Sequence, residues 1–442
     1  MKYRYRTDEE MKDSGVEWCN RIPKNWIKSK LKRELIFKVG GTPSTSNKEY
    51  FDGNNTWINI SDLKGKFCCE SKNKISDKAV KDYNISLVPK GSLLYSFKLS
   101  VGQVAFTTKD LYTNEAIAAF APSNRYNVNY WYYALGNYLI ENANENIYGA
   151  KILNQDLIKN ATIFLPSKYE QEKVANFLDE KTSQFDLIIL KKEALIEKLE
   201  EAKKSLISEV VTGKVMVIKT KNGYDVVPRS REEMKDSGVE WVKNIPKHWK
   251  VVNGKRLFSQ RKDKAFENDE QLTASQKYGI IFQKEFMELE NQKVVLVDKN
   301  FSILKHVEPN DFVISMRSFQ GGLEYSTIRG CISSAYVMLI PNDMVYAPFF
   351  RWFFKSEQYI NALQSTSNLV RDGQAMRFSN FIQIPIFEFS KEEQQEIAEY
   401  LDFSVNNMNK LIDKIKCQVE KLKEAKQSLI TEAVTGKIEI LD

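Results

Sequence analysis

Residues 168–210 contain no Gly or Pro and are rich in Glu, Lys, Leu and Ala, a composition that favours helix. A heptad written through them places Leu178, Phe185, Lys192, Leu199 and Leu206 at one core position. Val174, Lys181, Ile188, Leu195, Ala202 and Glu209 fall at the other. A second stretch repeats the pattern with Leu401, Met408, Ile415, Leu422 and Leu429, then Ile397, Ser404, Leu411, Gln418, Ala425 and Glu432. Both seams are mostly apolar over about five heptads, as in a coiled coil. At 1.5 Å per residue, about 43 residues make a helix on the order of 65 Å long. Thr212-Gly213 and Thr435-Gly436 supply the stops, with glycine placed for a left-handed cap. One such helix alone would leave its stripe in water, so the spacing predicts that the two pair within the chain, antiparallel.

Elsewhere the pattern shortens. TWINI (56–60), SLLYSF (92–97), IAAFAP (117–122), VVLV (294–297), DFVISM (311–316) and SAYVMLI (334–340) read as strands. Residues 127–143 and 347–363 read as helices dense in aromatics. Trp131, Tyr132, Trp352 and Phe353 there read as core side chains and not as base-stacking platforms. The chain is therefore α+β: two mixed α/β blocks separated by two long helices.

The two blocks belong to a tandem duplication. EEMKDSGVEW opens at residue 9 and again at 232, and 232 − 9 = 223. KKSLISEVVTGK (203–214) matches KQSLITEAVTGK (426–437), and SKYEQEKVANFLD (167–179) matches SKEEQQEIAEYLD (390–402), both at the same offset. Three separated segments in one register mean a repeat of half the chain. Between them similarity collapses, although GSLLYSFKLSVGQ (91–103) still resembles NDFVISMRSFQGG (310–322) in pattern. A duplicated frame with two diverged inserts suggests two similar tasks on two different targets. Antiparallel pairing would relate the halves by a pseudo-two-fold axis.

Composition narrows the function classes. With 442 residues, more than one domain is expected. No apolar run approaches a membrane span, and MKYRYRTDEE is no secretory signal, so the expected location is cytoplasmic, without membrane contact. The five cysteines form no CxxC pair, and His248 and His306 have no ligand spacing, so no metal site is expected. Neither a P-loop nor a dinucleotide fingerprint is present. Basic residues outnumber acidic ones 18 to 12 over 27–163 and 17 to 14 over 250–386, compatible with a polyanion partner.

Polar loops supply the candidate contacts. Lys and Arg neutralise phosphates, while Gln, Asn, Ser and Arg can read base edges. In the first half these are Thr42, Ser44, Lys48 and Tyr50 in GGTPSTSNKEYFDGNNT, Lys98 and Gln103 in SFKLSVGQ, and Lys151 and Asn154 in YGAKILNQ. In the second they are Gln276, Lys277, Arg317, Gln320, Arg371, Gln374 and Arg377. For the constant frame, Trp18 and Trp241, with Ile22-Pro23 and Ile245-Pro246, are expected to anchor each block to the helices. Leu178, Phe185, Leu199, Leu206, Leu401, Leu422 and Leu429 are the expected scaffold seam.

The layout resembles the DNA-specificity subunit of type I restriction-modification systems. The similar stretches are SGVEW..IP..W opening each half, GGTPS with Tyr50 and Trp57, TNEAIAAF and SSAYVMLIP, IFLPSKYEQEKVANFLD, and SLISEVVTGK. The second half departs by carrying Arg261-Lys262 in place of a GGTPS-type loop. The resemblance implies a first target-recognition domain (1–166), a conserved helix (167–214), a linker and second recognition domain (215–389), and a second conserved helix (390–442). It implies that each recognition domain reads one half of a split, asymmetric site in double-stranded DNA. The helices would set the spacer and dock two methyltransferase subunits and two restriction subunits. This chain would bind no cofactor; S-adenosylmethionine, ATP and Mg would sit on the partners. Two other classes fit the residues: a two-domain enzyme acting on nucleic acid, or a coiled-coil scaffold without a DNA role.

Overall fold

The computed structural model describes every residue except Met1, Leu99, 146–148, Ala150, Asn222, 293–302, Arg317, 367–375 and Asp442. The expected strand at 294–297 lies outside the described residues. The chain divides into two compact units: residues 1–192 with 418–442, and residues 193–417. No helix among the described residues is long and apolar enough to cross a membrane.

The first unit is built on a five-stranded sheet in the order Phe37–Val39, Ile117–Phe120, Leu93–Ser96, Val104–Thr107, Phe67–Cys68. The first four strands are antiparallel to their neighbours, and the last joins in parallel. Leu93–Ser96 is buried on both faces, which is why it reads as a continuous apolar run. Val128–Glu141 packs over this sheet through Tyr130, Trp131, Ala134, Leu135 and Tyr138. Asn127 starts that helix by accepting from the amides of Asn129 and Tyr130.

The second unit repeats the plan with little of the sequence. Its sheet runs Phe258–Arg261, Val337–Pro341, Phe312–Ile314, Glu324–Tyr325, again antiparallel. These strands correspond in order to the first four of the other sheet. The aromatic stretch 347–363, expected as one helix, is two: Ala347–Phe353 and Glu357–Thr366. The break falls at Ser356, whose buried hydroxyl donates to the Phe353 carbonyl at 2.7 Å instead of letting the turn continue. Of the four aromatics read as core, Trp131 and Phe353 are fully buried, whereas Tyr132 and Trp352 are half-buried at the core's margin.

Long helices run over Lys168–Val211 and Lys391–Val434. In the first unit Lys192 donates to Gln418 at 2.8 Å and Lys426 meets Asp186 at 2.6 Å. In the second, Lys203 donates to Asn409 at 3.0 Å. As one number rises the other falls, so the pairing is antiparallel. One column of the expected seam faces inward: Leu178 and Leu401 are buried, while Phe185, Leu199, Leu206, Leu422 and Leu429 are half-buried. The other column is displaced by one residue. Ile189, Val405, Ile412 and Val419 are buried, whereas Ile188, Leu195 and Leu411 are 43%, 45% and 46% exposed. The inward path steps four residues from Leu178 to Thr182 and then three to Phe185, the reverse of the expected order.

Residues 215–228, expected within a linker, form a hairpin of Val215–Thr220 with Gly223–Pro228. The first unit has the same ladder without the turn: Tyr3–Tyr5 pairs with Ile438–Ile440, Tyr5 opposite Ile438. Val215 stands opposite Pro228, and 438 − 215 = 228 − 5 = 223, so the register is identical.

Candidate nucleic-acid interface

Each sheet is held to the helices by residues repeated at the 223 offset. Trp26 Nε1 donates to Glu170 at 3.0 Å and Arg6 to the same carboxylate at 2.6 Å. Trp249 and Arg229 do the same to Glu393 at 3.3 and 2.6 Å. Gln171 accepts from the Asn127 amide at 3.1 Å, and Gln394 from the Tyr346 amide at 2.7 Å. Gly436 has φ +73°, and a Cβ there would lie 2.5 Å from Pro23 Cγ. Gly213 has φ +70° and the same clash with Pro246. The anchoring tryptophans are thus Trp26 and Trp249. Trp18 packs on Tyr138 and Phe164, and Trp241 on Phe353 and Phe387, inside their own blocks. The indole–carboxylate pairing was legible only as a repeated Trp, Glu and Arg at one offset.

In the first unit the GGTPS loop leaves the edge strand Phe37–Val39. Gly41 N donates to the Thr113 carbonyl at 3.0 Å, and Trp57 Nε1 to the Gly41 carbonyl at 3.0 Å. A Cβ at Gly40 would fall 1.8 Å from Thr113 O, so only glycine lets the loop lie this close. Beyond it, Ser44 N donates to Tyr83 Oη at 3.0 Å, and Thr42 bonds Glu115. Tyr50 donates to Asp82 at 3.1 Å, a bond that pushes its phenol above the usual range. Lys48, Lys98 and Gln103 are exposed, Lys98 lying 6.0 Å from the Phe97 ring centroid. Lys151 is paired with Glu145 at 2.8 Å, and Asn154 caps Gln155–Asn160 by accepting from Leu157 N at 2.8 Å. Those two side chains already have structural work.

In the second unit two turns that are distant in sequence come together. Gln276 and Lys277 form the tip of the hairpin Leu272–Ser275 with Gly279–Phe282. Gly321, next to exposed Gln320, lies against Gln276, since a Cβ there would be 2.6 Å from its Nε2. A cleft of about 460 Å³ opens beside them, lined by Ser275, Gln276, Lys277, Ser315, Met316 and Tyr336 among others. Bonds to Tyr278 and Glu290 hold the Lys277 ammonium above its ordinary range. Arg377 is exposed at the start of Phe378–Phe381. Arg317, Arg371 and Gln374 lie outside the described residues.

Arg261, which stands where the first half has its glycine loop, is a strut. It makes a fork to Asp311 at 2.6 and 3.0 Å and is little exposed. His306 is buried between Asp269 at 2.6 Å and Glu308 at 2.7 Å, a packed polar network with Arg329 beside it. His248 bonds Glu393 at the frame. Neither histidine belongs to a group of three or more metal-binding side chains among the described residues.

Residues 23–201 match the family model of the type I restriction modification DNA specificity domain. The chain is 30% identical over 258 residues to the specificity subunit of the type I restriction enzyme MjaIX of Methanocaldococcus jannaschii. That match covers 57% of this chain and 54% of the relative, so it spans about half the length of that protein. Among solved structures, a chain of a type I restriction-modification system superposes with TM-score 0.68 at 14% identity, covering 94% of this chain and 99% of the other. The HsdS subunit from Thermoanaerobacter tengcongensis gives TM-score 0.51 at 13% identity, covering 96% and 99%. At these identities the two structures speak for the fold.

Proposed function

We propose, since residues 23–201 match the family model of the type I restriction modification DNA specificity domain, that the chain is the DNA-reading subunit of a type I restriction-modification complex. Each unit's sheet would present its loops to one half of an asymmetric site in double-stranded DNA. In the first unit Thr42, Ser44, Lys48, Tyr50, Lys98 and Gln103 are the contacts. In the second they are Gln276, Lys277, Gln320 and Arg377, together with Arg317, Arg371 and Gln374, which lie outside the described residues. Lys side chains would neutralise phosphates, and Gln, Ser and Thr would read base edges. The observation that carries this reading is the contrast between a frame repeated residue for residue and loops that share only their position on the sheet. One frame presenting two unlike surfaces suits two unlike half-sites.

The chain would do no chemistry. Two modification subunits would bring S-adenosylmethionine to an adenine, and two restriction subunits would bring ATP and Mg²⁺. The repeated frame offers the equivalent docks such a pair requires. The test is to reconstitute the chain with its modification subunits, expose DNA of random sequence, and map the methylated adenines. A two-part asymmetric motif is expected. Replacing residues 27–163 by the corresponding segment of another such chain should change one half of it only. A motif that changes in both halves, or methyl transfer by the chain alone, overturns the proposal.

A further inference from the structure

The cations left out of the candidate loops gather at the other end of the same edge strand. Lys32, Arg33 and Lys38 surround the start of Phe37–Val39, and Arg125 joins them from the segment after Ile117–Phe120. Together they line a cavity of about 680 Å³ in the first unit. Glu34 is the one carboxylate among the described residues of its lining, and it already accepts from Ser29 at 2.7 Å. Lys32 reaches Asn160 at 2.8 Å. The side chains of Arg33, Lys38 and Arg125 are exposed and have no ion-pair or hydrogen-bond partner among the described residues.

The second unit neutralises its counterpart of Arg33. Arg256 stands at the place of Arg33 (256 − 223 = 33), and Glu388 clasps its guanidinium, with Nη2 3.1 Å from Oε1. Glu388 lies opposite Lys250 in its ladder, and Leu165 lies opposite Ile27 in the corresponding ladder of the first unit. Since 388 − 223 = 165, the neutralising carboxylate of one unit is a leucine in the other.

We infer that this pocket binds phosphates of the DNA backbone, adding sequence-independent affinity on the side of the first unit only. The inference rests on the DNA-reading function proposed above. Four cations against one carboxylate in the lining is the charge balance a polyanion contact requires. Lys38 precedes Gly40 by two residues on an extended strand, about 7 Å of chain, so one cation of the pocket stands near the start of the GGTPS loop. The rim also carries exposed Ile36 and Leu87, which would suit an acidic segment of a protein partner. The one-sidedness argues against that occupant. A subunit docking equivalently on both repeats would need the pocket twice, whereas an asymmetric DNA site does not.

The experiment measures binding of a fluorescent duplex by the complex of this chain with its modification subunits, across a potassium chloride series. Three phosphate contacts at about 0.9 each mean that Arg33→Gln, Lys38→Gln and Arg125→Gln together should flatten the slope of log affinity against log salt by about 2.7. Leu165→Glu, which supplies the carboxylate that Arg256 has, should flatten it by about 0.9. Because Leu165 is partly buried, Arg33→Gln alone serves as the second variant and should give the same change. The methylated motif should stay the same in all of them. An unchanged slope with DNA still bound overturns the inference and leaves the DNA-reading function standing. So does an altered motif, which would make these residues base readers. Loss of complex assembly with a normal slope in the assembled fraction assigns the pocket to a protein partner instead. Absence of DNA binding by the unaltered complex overturns the DNA-reading function itself.

Discussion

Ile412 and Leu411 are neighbours on one helix, 2% and 46% exposed, and their truncation separates the observed seam from the one read out of the heptad. Ile412→Ala removes buried methyl and methylene groups that neighbouring side chains cannot follow inward, at a cost of about 2–4 kcal/mol. Leu411→Ala removes a half-exposed side chain and keeps a good helix former, so the change should stay within about 0.5 kcal/mol. The first helix repeats the experiment with Ile189, 9% exposed, and Ile188, 43% exposed. There the exposed substitution should be neutral or slightly stabilising, because alanine favours helix over isoleucine by a few tenths of a kcal/mol. The assay is urea unfolding of the full chain followed by far-ultraviolet circular dichroism, comparing midpoints at constant slope. A cost for Leu411→Ala as large as that for Ile412→Ala would refute the placement of the seam.

Gly436→Ala and Gly213→Ala combine a left-handed backbone with a Cβ 2.5 Å from a proline carbon, so each should cost about 2 kcal/mol or more, read as a lower thermal midpoint. Glu10 is held at about 2, first by the Arg4 guanidinium and then by the Thr7 amide. Its contribution is therefore present above the ordinary carboxylate range and fades as pH falls from about 4.5 towards 2, so Glu10→Gln should destabilise at pH 7 and not at pH 2. Lys98→Ala and Lys277→Ala should each weaken DNA binding by the assembled complex and shift methylation preference at opposite half-sites; equal loss at both would count against one unit per half-site. Trp26→Phe keeps one aromatic ring and removes the indole donor to Glu170, so it should cost about 1–2 kcal/mol or more in the same urea assay, and more than Trp18→Phe.

Period and composition made the long helices, the central strands and the duplication legible, because each rests on a local pattern. The second seam column was not legible, since Leu187, Ile188, Ile189 and Leu190 are all apolar and pattern alone cannot choose among them. The hairpin at 215–228 was hidden because its closest analogue is split between residues 3–5 and 438–440. The candidate contacts were chosen by residue type, which cannot tell an available side chain from an occupied one. Asn154 is spent on a helix cap and Lys151 on Glu145, while Arg33, Lys38 and Arg125 have no partner among the described residues and lie outside the chosen loops. Availability depends on neighbours far away in sequence. Among the described residues Arg33 is unpaired and Arg256 paired because of residues 165 and 388, each more than a hundred positions away.

The split ladder bears on why the loops could diverge while the frame did not. In one unit the strands are joined by a tight turn; in the other, almost the whole chain separates them, yet the register is the same. A turn fixes register only when it is present, so in the first unit the register must come from elsewhere. The contacts that remain are repeated ones. Gly436 seats on Pro23 and Trp26, Trp26 and Arg6 share Glu170, and Arg6 follows the strand that pairs with Ile438–Ile440. Gly213, Pro246, Trp249, Glu393 and Arg229 make the same circuit. Every member of this circuit bonds or packs against another member, and none is hydrogen-bonded or ion-paired to a candidate DNA-contacting side chain among the described residues. A change in a loop therefore leaves the frame's contacts intact, whereas a change in one frame residue strands its partner: removing Arg6 or Trp26 leaves a poorly exposed carboxylate short of donors. The constancy of the repeated segments and the divergence of the loops follow from that one separation of contacts.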